Sequence, residues 1–233
     1  MKKLIVLTVV FFLGQGVTVT QTSVPVPVVL IKAGRLIDVR AGRVLENQGI
    51  LIEGDRIKSV GPLATIQRSA PSTARVVDLS SATVLPGLAD CHTHILLQGD
   101  ITAADYDEQL LKESIPYRTI RATVAARIGL LNGFTVMRDL ETEGAMYADV
   151  DVKQAINRGV VPGPRMFVAT RAFSATGMYP LQGYSWELRM PEGVQIVDGA
   201  DNIRRAVRAR INTASVPTTA EATRQPSSGW PTR

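Results

Sequence analysis

At 233 residues the chain can hold one large domain or two small ones, and 45% apolar with 20% charged residues is the composition of a globular protein with a core. A single cysteine, Cys91, excludes an intramolecular disulfide framework and any Cys-rich zinc module. The net charge of +5 comes from 26 basic against 21 acidic residues, with no basic run longer than Arg204-Arg205, so no nucleic-acid partner is expected.

The amino terminus reads as an export signal over residues 1–20. Lys2 and Lys3 form its positive region, Leu4–Leu13 its apolar core, and small and polar residues follow through Gly14-Gln15-Gly16 and Thr18-Val19-Thr20. Ten apolar residues make a helix of about 15 Å, half of a bilayer core, so a stable membrane anchor is not expected. A buried core helix or strand is the competing reading. The signal implies a periplasmic or secreted protein. Residues 21–27, with Val24-Pro25-Val26-Pro27, form an extended linker, because each proline biases its predecessor away from helix.

Short apolar runs separated by turn residues then occupy 28–82: Val28–Ile31, Gly34–Val39, Gly49–Glu53, Arg56–Val60 and Arg75–Leu79. Gly54-Asp55 is a two-residue hairpin turn between two of them. Strands at this spacing predict a small or partial β-sandwich. From Thr83 the pattern alternates. Thr83–Asp90 predicts a buried parallel strand. Pro116–Asn132 predicts a helix whose Ile120, Val124, Ile128 and Leu131 share an inward face, closed by Asn132-Gly133. A strand over Phe134–Met137, a helix over Tyr147–Arg158, a strand over Arg165–Ala169 and a helix over Ala200–Ile211 follow. In the last helix Ile203 and Val207 are expected inward and Arg204, Arg205, Arg208 and Arg210 outward. Strand–helix alternation predicts parallel β/α units.

Chemistry concentrates in Pro86-Gly87-Leu88-Ala89-Asp90-Cys91-His92-Thr93-His94, which holds both histidines of the chain. Imidazoles at i and i+2 of a strand point to one face and can share one metal ion. Their place after an apolar run puts them at a strand's carboxyl end, where barrel enzymes build active sites. Solvent-exposed loop histidines are the alternative. Asp90 shares their face and either holds an imidazole from behind or caps the strand end. Cys91 alternates away from them as a buried thiol. Arg138 and Asp139 are expected to pair within the scaffold. Tyr184 and Trp186 either line a pocket or pack at the surface.

Leu85–His94 resembles the first barrel strand of the amidohydrolase superfamily. Gly49–Gly61 is similar to the β-sandwich that precedes the barrel there, and Gly133–Asp139 to its second strand. Thr176-Gly177, Gly183–Glu187 and Ala200–Arg208 are most similar to the imidazolonepropionase-like and Xaa-Pro dipeptidase-like branches. The resemblance, over about residues 28–211, implies an α/β fold: the amino-terminal portion of a (β/α)8 TIM-type barrel preceded by a small β-sandwich, with the first three β/α units over 83–211. It implies zinc or another divalent metal held by His92 and His94, with Asp90 in support, and hydrolysis of a C–N bond by metal-activated water. The substrate class is a small-molecule cyclic amide, N-acyl amino acid or Xaa-Pro dipeptide, and the full-length form leaves room for an oligomer.

The resemblance also implies ligands that are not found here. Family members add a carboxylated lysine or a glutamate on the fourth strand, histidines on the fifth and sixth, and an aspartate on the eighth, whereas this chain has 2 histidines in all. A full barrel takes about 250 residues, so an incomplete barrel with an open edge and uncovered core is expected. Over residues 212–233, Thr, Ser, Pro and Ala fill 14 of 22 positions, the composition of a disordered tail. A back-translation of Ile211–Ala222 shifted by two nucleotides permits a family-like Asp-Tyr-Arg sequence, so the tail reads as out of frame; a natural low-complexity tail competes with that reading. The chain is thus expected to be a truncated, inactive amidohydrolase. The alternative is a non-catalytic product or β-sandwich binding module with a vestigial metal motif.

Overall fold

The computed structural model describes residues 26–99, 103–178, 181 and 183–214. The expected signal over 1–20 and the expected tail from 215 onward lie outside the described residues. The chain divides into two compact units, residues 1–86 and 87–233. Among the described residues no helix is long and apolar enough to cross a membrane.

In the first unit, β1 (Val28–Asp38), β2 (Arg43–Glu53), β3 (Arg56–Pro62) and β4 (Arg75–Val84) form one sheet in the order β3-β2-β1-β4. The hairpin between β2 and β3 turns at Gly54-Asp55, with Glu53 opposite Arg56. Its positive φ of 61° at Gly54 belongs to the first central position of a II′ turn, where glycine carries no steric cost. The expected sandwich is, among the described residues, a single sheet. The helix α1 (Leu63–Ser69) packs on it, placing Ile66 with Leu30 and Leu51 in a small core. The expected strands Val28–Ile31 and Gly34–Val39 are one continuous strand, with an irregularity in its parallel pairing to β4 between Ala33 and Arg35.

The expected strand over Thr83–Asp90 is split. Thr83 and Val84 end β4 in the first sheet, and β5 (Leu88–Thr93) begins the second unit. Pro86 has no N–H to give a ladder, so the run cannot continue as one paired strand. After α2 (Ala103–Lys112) comes α3 (Ile115–Leu131), opened by Ser114, whose hydroxyl accepts from the Tyr117 N–H, and followed by Gly133 at φ 93°. Then β6 (Phe134–Asp139), α4 (Ala148–Asn157) and β7 (Arg165–Val168) give a parallel sheet in the order β5-β6-β7. The short strands β8 (Phe173–Ser174) and β9 (Gln195–Ile196) pair in parallel before α5 (Ala200–Ala214), which runs three residues past the expected end at Ile211.

The helices present the opposite faces to those expected. In α3 the buried residues are Arg118, Ala122 and Ala126, whereas Ile120 and Leu131 are each 68% exposed and Val124 and Ile128 are exposed too. The two stripes are offset by two residues, about 200° around the helix. Small residues win the sheet side because the approach is close: a Cβ on Gly129, the next member of the buried stripe, would lie 2.0 Å from the Met137 methyl on β6. The same holds in α5, where Ala206 is buried, Ile203 and Val207 are exposed, and Arg210 turns inward. Its guanidinium stacks 3.4 Å from the Phe173 ring centroid and donates to the Ala172 carbonyl at 3.0 Å. Large apolar stripes therefore face solvent in the described chain.

This assignment of faces is testable. Ile120→Lys with Val124→Lys is expected to change unfolding free energy by no more than about 0.5 kcal/mol and to reduce self-association. Ala122→Leu is expected to cost about 1–3 kcal/mol by overpacking. Urea unfolding with light scattering checks both, and a larger loss from the lysine pair than from Ala122→Leu would reverse the assignment.

Candidate metal centre

The second unit builds its polar site at the carboxyl ends of β5 and β6. Beyond His94 the chain turns, with the Leu97 N–H donating to the His94 carbonyl at 3.1 Å. The next residues, Ile95 and Leu96, are core residues packed with Ala122, Met137, Val152 and Met166. An apolar anchor thus follows the histidine motif immediately and fixes where it ends. Two cross-links tie it to β6: Leu140 N–H donates to the Thr93 carbonyl at 3.1 Å, and Ile95 N–H to the Asp139 carboxylate at 3.2 Å.

The two imidazoles come together as expected, edge to face with ring centroids 5.2 Å apart. His92 is exposed and His94 half-buried. Asp90 accepts a hydrogen bond from the His92 backbone N–H at 3.0 Å, the strand-end cap of the two roles considered for it. Cys91, expected buried, is exposed; no residue of β5 is fully buried, so neither face of this strand is closed over by the described residues. Arg138 is exposed and does not pair with Asp139, because successive strand residues point to opposite faces. Trp186 is 92% exposed, and the Tyr184 hydroxyl donates to Asp107 at 2.7 Å, so both take the surface reading.

Three acidic residues that the sequence reading passed over, Glu141, Glu143 and Asp149, complete the surroundings together with Asp139. Glu141, Glu143 and His94 bring ligand-type atoms within 4.8 Å of one another. His94 Nδ1 lies 3.3 Å from the Glu143 carboxylate and 3.4 Å from the Glu141 carbonyl. Asp139 is fully buried; burial first, and then the nearby Asp149, push its carboxyl up to about 8. Burial and then Glu143 push Glu141 up to about 7. Asp149, buried in the first turn of α4, is raised to about 6 by burial against the opposing effect of amide hydrogen bonds, chief among them the 2.7 Å bond from Thr170. The available signal was the alternation Asp139, Glu141, Glu143 directly after a strand, at the barrel end where active sites are built. Left-handed backbone at Glu143 (φ 49°) and Thr170 (φ 65°) marks the same loops as strained.

One buried cation holds these loops. Arg118 on α3 donates from Nε to the Leu96 carbonyl at 3.1 Å and from Nη2 to the Glu143 carbonyl at 2.7 Å. It joins the segment after the histidines to the acidic loop. The donor set, neutral imidazoles beside carboxylates, is one that zinc and other divalent ions accept. Glu141 also keeps a buried carboxylate oxygen, Oε1, without a hydrogen-bond partner, as a cation would require. The donor types suit a divalent metal: His92 and His94 offer imidazole nitrogens, and the carboxylates of Glu141 and Glu143 lie beside His94.

Comparison with known proteins identifies the family of the chain. The chain is 32% identical over 213 residues to ochratoxinase of Aspergillus niger, covering 79% of this chain and 40% of that protein. It is 30% identical over 140 residues to imidazolonepropionase of Deinococcus radiodurans, covering 57% and 34%. It superposes on a crystal structure of a Xaa-Pro dipeptidase with a TM-score of 0.68 and 29% identity, covering 80% of this chain and 45% of that one. The chain thus spans less than half the length of these relatives. The sequence model described as the amidohydrolase family matches residues 83–223, most of the chain, and on that match the chain belongs to the amidohydrolase family.

Proposed function

We propose that the protein to which this sequence belongs hydrolyses a C–N bond of a small molecule, with His92 and His94 as two of its metal ligands. Convergence of both imidazoles at a strand's carboxyl end, in a chain of this family, is the observation that carries it. The names of the relatives, imidazolonepropionase and Xaa-Pro dipeptidase, support a cyclic amide or an Xaa-Pro dipeptide as substrate class, and an N-acyl amino acid shares the same C–N bond chemistry. A bound divalent ion, zinc or another metal that accepts these donors, would supply the Lewis acidity that makes water nucleophilic near neutral pH. The chain's own residues hold the ion through His92 and His94, and the buried Arg118 and Ile95–Leu96 anchors fix the loops around it. Asp90 orients His92 through its backbone.

In this reading the four-stranded sheet is one layer of a β-sandwich ahead of a (β/α)8 barrel of which β5, β6 and β7 are the first three strands. The protein is exported, through residues 1–20, to the periplasm or medium.

His92 and His94 alone are fewer than the three protein ligands of most catalytic zinc sites, and the neighbouring Glu141 and Glu143 sit on a loop and are not part of the ligand set that the resemblance implies. The 233-residue chain is therefore expected to bind zinc weakly and to lack appreciable amidohydrolase activity. A longer in-frame version bearing the family's later-strand ligands is expected to be active, and His92→Ala or His94→Ala is expected to remove its metal at this site. Metal analysis with a screen of ring amides, N-acyl amino acids and Xaa-Pro dipeptides checks this. Turnover by the purified short chain, lost on chelation and restored by zinc, would overturn the inactivity. A longer version that is inert and metal-free would favour the binding-module alternative.

A further inference from the structure

We propose that Glu143 is a positioning residue that fixes His94 as the Nδ1–H tautomer and so leaves Nε2 for the metal. This rests on the reading of His94 as a metal ligand. The geometry comes first. His94 Nδ1 faces the Glu143 carboxylate at 3.3 Å and the Glu141 backbone carbonyl at 3.4 Å. A carbonyl and a carboxylate both accept hydrogen bonds and offer none, so the nitrogen between them is the one that carries the proton. A neutral imidazole with its proton on Nδ1 has its lone pair on Nε2, the atom a metal takes. Histidine ligands commonly give their other N–H to a carboxylate or carbonyl, which orients the ring and raises its basicity.

Glu143 is built to stay where it is. The residue is buried, its backbone is left-handed at φ 49°, and its carbonyl is held by Arg118 at 2.7 Å. The preceding Thr142, fully buried, donates its N–H to the Thr170 carbonyl at 3.1 Å and its hydroxyl to the Met146 carbonyl at 3.0 Å. A strained backbone held from α3 and from the loop after β7 delivers one carboxylate to one ring nitrogen. Such strain persists only where its surroundings over-determine it, and it gathers at functional sites.

Glu143 as a direct ligand is the rival arrangement, since donor atoms of His94, Glu141 and Glu143 all lie within 4.8 Å. The two differ in which ring nitrogen is protonated and in what Glu143→Ala does to metal binding. The test uses the full chain at pH 8. Long-range proton–nitrogen correlation of the histidine rings in the presence of chelator reads the tautomer directly, and calorimetric zinc titration reads affinity. The expected wild-type result is His94 protonated on Nδ1. Glu143→Ala is expected to shift His94 towards the Nε2–H form and to weaken zinc by about 10–100-fold. Glu143→Gln keeps an acceptor, so it is expected to restore most of the Nδ1–H population with an intermediate affinity. Circular dichroism confirms that each variant folds.

An Nε2–H tautomer in the wild-type chain would overturn the proposal whatever the variants do. So would a folded Glu143→Ala chain with unchanged zinc affinity, or one that loses zinc as fully as His94→Ala, the behaviour of a ligand. If the wild-type chain bound no zinc, the metal reading of His92 and His94 would fail for this chain, while the tautomer, read without metal, would still decide whether Glu143 sets the ring.

Discussion

Arg118→Ala is expected to destabilise the second unit by about 3 kcal/mol, the largest single loss anticipated outside the packed apolar core. The guanidinium is buried and serves the carbonyls of Leu96, Thr142 and Glu143, the last at 2.7 Å. Removing it strands those acceptors away from water, and a buried acceptor left unmade costs about 1–3 kcal/mol. It also unties the segment after His94 from the acidic loop, so zinc affinity is expected to fall along with stability. Arg118→Met keeps the stem and its packing and is expected to lose nearly as much, which separates hydrogen bonding from volume. Arg118→Lys keeps the charge without the planar fork and is expected to recover only part. Hydrogen exchange at Leu97, whose N–H closes the turn on the His94 carbonyl, reports the local effect. Unchanged protection there, with a loss below about 0.5 kcal/mol in Arg118→Ala, would show that the clamp contributes nothing.

Asp139 sets the second large expectation, a stability that falls as the solution is made alkaline. Its carboxyl is raised from about 3.8 to about 8 in the folded chain, by burial and then by Asp149. The native state therefore holds a proton that the unfolded state has released. That contribution is fully present below the unfolded value and is lost as pH rises through the folded one. Asp149, at about 6, and Glu141, at about 7, act with the same sign over narrower windows. Between about pH 7 and 8 Asp139 is the principal of the three, and its slope there approaches about 1.4 kcal/mol per pH unit at the lower end. In chelator, Asp139→Asn is expected to flatten that slope while keeping the hydrogen bond from Ile95, because the amide oxygen still accepts. A wild-type unfolding curve that is level or rising from pH 6 to 8 would contradict it. Bound divalent metal is expected to reduce the loss, since a cation stabilises ionised carboxylates beside it.

Local pattern was enough for much of the fold. The Gly54-Asp55 hairpin, the cap at Asn132-Gly133 and the parallel order of the strands holding Leu88–Thr93, Phe134–Asp139 and Arg165–Val168 each follow from turn chemistry or period within a few residues. The histidine pair was legible for the same reason, because i and i+2 on a strand are neighbours by geometry alone.

Local pattern could not say which side of a helix meets the sheet. The large apolar stripe of Ile120, Val124, Ile128 and Leu131 has the stronger hydrophobic signal, yet Ala122, Ala126 and Gly129 face the strands. How close the helix lies to β6 decides that choice, and no window of sequence contains the distance. Arg210 was read outward as a charge and is drawn in by a ring and two acceptors far along the chain. The acidic surroundings of His94 were missed likewise: Glu141 and Glu143 lie 47 and 49 positions beyond it and reach it only because β5 and β6 are neighbours in register. Sequence determined the paired histidines and the strand end that carries them, since both are properties of a few consecutive residues. Tertiary structure decided what stands behind each imidazole, because the pairing of distant strands and the burial of charge between them exist only once the chain has closed on itself.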